Sequence, residues 1–320
     1  MKKFFLVLCL TLAAVSAQGQ AVPSVEENIP FLVTFGNRAC TSWGDDDFTQ
    51  IWFFIVPESY KGMVFFRVFD PDVGGENDEL NGSWDTRTQY SVYGGRGAYT
   101  HPDAQEPHPT KGNFKSGTLL ATRTFGFDPR WDNRWFSFGP FNPTDGEYYP
   151  DFGGYVFKVV CQGISGDDGN MYRYFMSSSS TENIPIEGGN AFTHKYTFRL
   201  PDDPKQVSHI YPFIHPETTR VRIENFDWDD DGIIRVTSEV RRETLIAVSG
   251  DNAWAVTEFA VLDGERGKSL DIQFIRKGVR NNNVVINVRN QRGDVLKFWS
   301  SPIGGVPRYN PGIQVRKVNR

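Results

Sequence analysis

Two clusters of carboxylates set out the chemistry this chain can offer. The first follows a hydrophobic strand in FFRVFDPDVGGENDE (65–79), where Asp70, Asp72, Glu76, Asp78 and Glu79 surround Gly74 and Gly75. The second is Asp227-Trp228-Asp229-Asp230-Asp231-Gly232, with D-x-D-x-D-G spacing and a glycine placed for a sharp turn. Calcium takes about six to eight oxygen ligands from flexible, carboxylate-rich loops. Asp70, Asp72 and Asp78 in the first loop, and Asp227, Asp229 and Asp231 in the second, are therefore candidate ligands for calcium. The competing reading of each is a solvated acidic loop, in which Gly74 and Gly75 supply positive φ. The second loop has the more regular spacing and is the stronger of the two.

The second loop matches the first half of an EF-hand loop, but its flanks read as strands and its twelfth position is Ser238, not Glu. It resembles the β-hairpin calcium loops of integrin-type repeats, where a further acid follows three residues after the glycine. This chain has Arg235 there. Aromatic side chains offer a second chemistry. In the window Phe125–Tyr149, Trp131 and Trp135 stand four apart beside Arg130 and Arg134. Such rings suit sugar faces or protein partners if exposed, and core filling is the alternative. His209, Tyr211 and His215 offer an acid–base set of the kind a polysaccharide lyase uses, although their alternation also fits an ordinary strand. The chain lacks G-x-S-x-G, H-E-x-x-H, Walker and dinucleotide fingerprints, so an enzyme is the weaker expectation. The separation of a carboxylate pair for glycoside hydrolysis is not readable from sequence. Arg292-Gly293-Asp294 matches the integrin-recognition tripeptide and reads more simply as a hairpin tip.

The elements that must position these residues read as strands. IWFFIV (51–56) is a continuous apolar run of the length and aromatic content of a strand buried on both faces. Residues 63–69 form the strand leading into the first acidic loop, and TRTQYSVY (86–93) alternates as a half-buried strand does. Gly94–Lys115, with His101 and His108, is a long loop of the kind that serves as a lid or binding loop. YVFKVVC (155–161) and MYRYFM (171–176) are strands joined by GISGDDGN, whose Asp168-Gly169 has hairpin-type turn chemistry. FTHKYTFRL (192–200) reads as one alternating strand. Beyond Pro201-Asp202-Asp203-Pro204, short strands recur roughly every 8–12 residues, the pattern of a sandwich. Over about residues 49–94, IWFFIVP, its turn, the second strand and the acidic Gly-containing loop together resemble the bacterial pre-peptidase C-terminal type of β-sandwich. That resemblance implies an accessory module of exported proteins rather than a catalytic domain.

Lys2 and Lys3, the apolar run Phe4–Val15 and small residues to Ala17 form a signal peptide, 1–17 and up to about residue 21. The run is too short to span a bilayer, which needs about 20 residues, and no later segment is apolar enough. A secreted, periplasmic or cell-surface location follows. Removing Lys2 and Lys3 takes the formal charge from −5 to −7, which argues against nucleic acid as a partner. With 26 Phe, 31 Gly and 19 Pro and few helix-rich stretches, the expected fold is all-β. It would comprise two β-sandwich domains of jelly-roll or immunoglobulin-like type, residues 22–200 and 205–320. Cys40 and Cys161 remain after processing, either bridged or as two separate buried thiols. Two thiols at that separation match no zinc spacing. The expected function is an exported, non-enzymatic binding or structural protein, stabilised by calcium. The alternatives are a carbohydrate-binding protein or polysaccharide-active enzyme using 125–149, and a subunit of a bacterial cell-envelope assembly. The corresponding partners are a glycan or a cell-envelope protein.

Overall fold

The computed structural model describes residues 19–40, 48–105, 114–278 and 283–310. The amino-terminal apolar stretch, the acidic Trp43–Asp47 segment and His108 lie outside the described residues. Within them the chain is all-β, its only helical elements being 3₁₀ turns of three or four residues. One antiparallel sheet runs Phe298–Trp299, Asn190–Thr193, Thr49–Pro57, Gly154–Ser165, Arg87–Gly94 and Thr118–Phe125, with Glu147–Tyr149 also paired to Gly154–Ser165. Facing it is a longer antiparallel sheet, Trp254–Ala260, Arg220–Phe226, Asn283–Asn290, Lys195–Arg199, Phe31–Phe35, Gly169–Ser177, Val64–Phe69 and Trp135–Phe141. Ala21–Val22 also pairs with Gly169–Ser177.

Rings from the two layers meet in the interior: Trp52 on Tyr196 at 5.0 Å, Phe54 on Phe66 at 5.2 Å and Tyr90 on Tyr172 at 5.4 Å. This is a β-sandwich. Successive side chains of a strand point to opposite faces, and Thr49–Pro57 uses both. Trp52, Phe54 and Val56 enter the main core, while Ile51, Phe53 and Ile55 enter a second core on the outer face of the same sheet. The continuous apolar run in the sequence has this cause. A polar cluster fixes register inside the main core. Gln50 donates through Nε2 to the Thr197 carbonyl and the Tyr172 hydroxyl, each at 3.2 Å, and its Oε1 accepts from Trp52 Nε1 and the Thr197 N–H.

A third sheet, Val207–Ile210, Asp271–Arg276, Gly232–Thr237 and Thr244–Ile246, packs onto the carboxy-terminal part of the long sheet. Its Phe274 lies 5.2 Å from Phe198 and 5.4 Å from Trp228. Pro201 and Pro204 interrupt the strands as expected, but sheet pairing crosses them. Lys195–Arg199 pairs with Asn283–Asn290, and Asn190–Thr193 with Phe298–Trp299.

Three local expectations change. The stretch 192–200 is two strands in different sheets, broken at His194, whose ring is buried 5.6 Å from both Phe53 and Phe192. The turn before Gly169 does not make a hairpin, because Gly154–Ser165 and Gly169–Ser177 lie in opposite layers. Asp168 serves that crossing by accepting the backbone N–H groups of Asn81, Asp85 and Thr86 at 2.9–3.0 Å. Cys40 and Cys161 are not bridged. Cys161 lies fully buried among core tyrosines, its thiol pushed up to about 12 by burial, whereas Cys40 is at the surface.

The long loop after Gly94 closes over the second core. The Glu147 carboxylate accepts the N–H groups of Gly97, Tyr99 and Thr100 at 2.9, 2.6 and 3.0 Å, burying Ala98, Tyr99 and Ala104. At the far end the buried Lys158 ammonium donates to the carbonyls of Phe114 and Ser116, each at 2.7 Å. Residues 106–113 of this loop lie outside the described residues.

Candidate metal centre

The strand Val64–Phe69 ends at Asp70, whose φ of 56° turns the chain sharply. The next residues are stitched to a loop far away in sequence. Asp70 N–H donates to the Arg134 carbonyl at 2.9 Å and Val73 N–H to the Gly126 carbonyl at 3.2 Å. Asp70 Oδ1 accepts the Asn133 N–H at 2.9 Å, and its Oδ2 accepts from Asn77 Nδ2 at 2.6 Å. Asp72 Oδ2 accepts the Asp128 N–H at 3.2 Å. Within the second loop, Trp131 N–H reaches the Asp128 carbonyl at 2.9 Å and Arg134 N–H the Trp131 carbonyl at 3.0 Å. This places Asp132 beside the strand end.

One carboxylate oxygen from each of Asp70, Asp72 and Asp132 lies within 4.8 Å of the others. Asp70 and Asp72 are 2% and 1% exposed. Asp72 Oδ1 and Asp132 Oδ1 are both buried with no hydrogen-bond partner among the described residues. Buried polar atoms are nearly always hydrogen-bonded, so an orphaned oxygen on each of two neighbouring carboxylates is a place for a positive partner. Burial pushes the Asp72 carboxyl up to about 7, with Asp132 and then Asp70 adding repulsion. Asp70 is raised as well, mainly by burial, with the Asp132 charge adding to it and the Arg173 cation opposing it. Gly75 closes the site. At its φ of +78° an added Cβ would stand 2.9 Å from Asp132 Oδ1.

Asp78 stands outside this group. Its two oxygens accept the Gly74 and Met171 N–H groups, each at 2.7 Å, so it braces the loop. In the second acidic loop the structure gathers Asp227 and Asp229 with Asp251. Asp231 points elsewhere and accepts the Gly278 N–H at 2.9 Å. Asp229 and Asp251 are exposed, and Asp227 Oδ1 accepts the Asn252 N–H at 3.0 Å. A further group, Asp85, Asp167 and Asp168, already has partners: backbone N–H groups on Asp168, and Arg38 on Asp85 at 2.7 Å.

Trp131 and Trp135 are half-buried in different surroundings. Trp131 packs on Phe125 and Phe136 at 6.0 and 5.4 Å, Trp135 on Phe69 at 5.4 Å with the Arg67 guanidinium over its ring. Arg130 chelates Asp128 at 2.8 and 2.7 Å, and Arg134 is exposed. The window's contribution to the acidic site is Asp132 and Asn133, which sequence reasoning passed over between the two tryptophans. His209 and His215 line separate clefts. His209 Nδ1 lies 2.8 Å from Asp271 Oδ1 and shares its cleft with Tyr211 and Arg235. His215 lines the other, beside Lys297.

No family model matches the chain, and no curated protein is detectably similar to it in sequence. Among the described residues no helix is long and apolar enough to cross a membrane.

Proposed function

We propose that this chain is an exported, non-enzymatic binding or structural β-sandwich protein, stabilised by a calcium ion held between Asp70, Asp72 and Asp132. Two observations carry the reading: Asp70, Asp72 and Asp132 each bring a carboxylate oxygen within 4.8 Å of the others, and Asp72 and Asp132 each bury an oxygen with no hydrogen-bond partner among the described residues. Three carboxylates without a cation repel one another, and a divalent ion removes that repulsion. An all-oxygen donor set favours a hard cation, and calcium tolerates irregular geometry and completes its shell with water, whereas magnesium demands a near-ideal octahedron. The ion would tie the end of Val64–Phe69 to the 126–134 loop. With Asp70 and Asp72 almost fully buried, a substrate has little access to it, so its role is structural. Extracellular calcium modules work at about 10⁻⁴–10⁻³ M, which suits an exported chain. Titration calorimetry of the metal-stripped protein tests this. One calcium per chain, lost in Asp132→Asn and not replaced by magnesium, is the expected result. Equal binding by Asp132→Asn would overturn it.

A further inference from the structure

The second core, on the outer face of the Thr49–Pro57 sheet, does not close completely. It leaves a cavity of about 440 Å³, within the range of about 300–1,000 Å³ typical of small-ligand clefts. Its walls are the rings of Tyr99, Tyr149, Phe152 and Trp299, held in edge and tilted contacts at 4.9–5.7 Å. Two of those walls are anchored through their backbone. Tyr99 is fixed by the three backbone hydrogen bonds of its loop to Glu147, and Trp299 by strand pairing to Phe192. Lys297 enters from just before the Phe298–Trp299 strand, its Nζ 6.0 Å from the ring centroids of Tyr99 and Phe152. Among the described residues no acidic side chain pairs with it and no hydrogen bond occupies it. Burial alone depresses its pKa, with no carboxylate offsetting that effect. The Trp299 Nε1–H, on a ring lining the same cavity, is buried with no acceptor among the described residues. At the rim stand Asp151, exposed, and His215, half-buried.

A half-buried cation with no counter-ion among the described residues, ringed by aromatic faces and edged by hydrogen-bonding groups, calls for a particular ligand chemistry. It is an anion carried on a ring with apolar faces and hydroxyl edges. We infer that this cavity binds an acidic pyranose, a uronic-acid-type residue of a glycan, with its carboxylate on Lys297 and its ring against the aromatic walls. Asp151 and His215 are placed to take its hydroxyls. A flat aromatic acid would satisfy Lys297 and the rings but leave that polar rim without partners. The site is separate from the three-aspartate centre and does not depend on it.

Saturation-transfer NMR with glucuronate, glucose and benzoate, in calcium and again in chelator, tests the inference. Glucuronate should bind in both solutions, glucose more weakly, and benzoate more weakly than glucuronate. Lys297→Met should weaken glucuronate about tenfold or more, as expected for loss of a charge-assisted bond, while leaving glucose unchanged. Asp151→Asn, at an exposed position that does not threaten folding, should weaken glucuronate and glucose alike. Absence of glucuronate binding, equal binding by folded Lys297→Met, or benzoate binding as well as glucuronate would each overturn the assignment. Glucuronate binding that survives in chelator also separates this site's fate from that of the calcium reading.

Discussion

Replacing Asp72 by Asn raises stability in chelator and removes the gain that calcium gives, which makes it the most informative single substitution. The amide oxygen of Asn keeps the bond from the Asp128 N–H, and its NH₂ takes the place of the orphaned Oδ1. In the metal-free protein one of three mutually repelling charges disappears. The Asp72 carboxyl is raised from 3.8 to about 7, some three pH units at about 1.4 kcal/mol each, so up to about 4 kcal/mol of destabilisation is relieved above that pH. The sign follows from linkage. A carboxyl whose folded pKa is raised leaves the fold most stable below pH 3.8 and progressively less so as pH rises through about 7. Calcium at about one hundred times its Kd contributes about 2.7 kcal/mol to the wild type, or about 5 °C at roughly 2 °C per kcal/mol for a chain of this size. Scanning calorimetry about one pH unit above the shifted value, with calcium and with chelator, reads both effects. The Asn variant should melt several degrees above the wild type in chelator and show no calcium-dependent rise. A wild type that melts identically with and without calcium, or a variant that keeps the full calcium shift, would rule out a calcium ion at Asp72.

Other expectations follow from the same interior. Gly75→Ala forces φ of +78° on a residue with a Cβ and drives that atom to 2.9 Å from Asp132 Oδ1. It should cost about 1 kcal/mol or more and weaken calcium binding, read by denaturant midpoints and calorimetry. Glu27 is wholly buried, and burial raises its carboxyl to about 8. Its contribution is full below pH 4.5 and is lost as pH rises through about 8, so Glu27→Gln should flatten the fall in unfolding midpoint between those values. Cys161 should stay unmodified by a thiol reagent in the native protein and react only in denaturant, because it is fully buried with its thiol pushed up to about 12. Labelling at Cys161 under native conditions would show the sandwich opening there.

The sandwich was legible because its signals are local. The run 51–56 could be read as a strand buried on both faces, and the structure gives each face its own core. What was not legible depends on which strands become neighbours. The FTHKYTFRL stretch alternates without interruption, yet the chain changes sheets at His194 because Asn190–Thr193 pairs with Thr49–Pro57 and Lys195–Arg199 with Phe31–Phe35. Asp168 reads as a turn residue and acts as an acceptor for a loop some eighty residues earlier. The acidic centre was half legible. The sequence marks Asp70 and Asp72, but Asp132 reaches them only through the pairing of Val64–Phe69 with Trp135–Phe141 and the Asn133 bond to Asp70 across 63 positions. Asp78 reads as an equivalent carboxylate, and only the geometry shows both its oxygens taken by backbone donors. The regular D-x-D-x-D-G spacing favoured the second loop. Folding separates Asp231 from Asp227 and Asp229, and a run of left-handed residues at 227, 229 and 230 accompanies the placing of Asp227 and Asp229 beside Asp251.

The most direct measurement is a crystal structure of the protein grown in calcium, with anomalous data to identify the ion. One ion bonded to oxygens of Asp70, Asp72 and Asp132 at about 2.3–2.6 Å, its shell completed by water, is expected. An empty three-aspartate centre in a crystal holding calcium only at Asp227, Asp229 and Asp251, or nowhere, would contradict it.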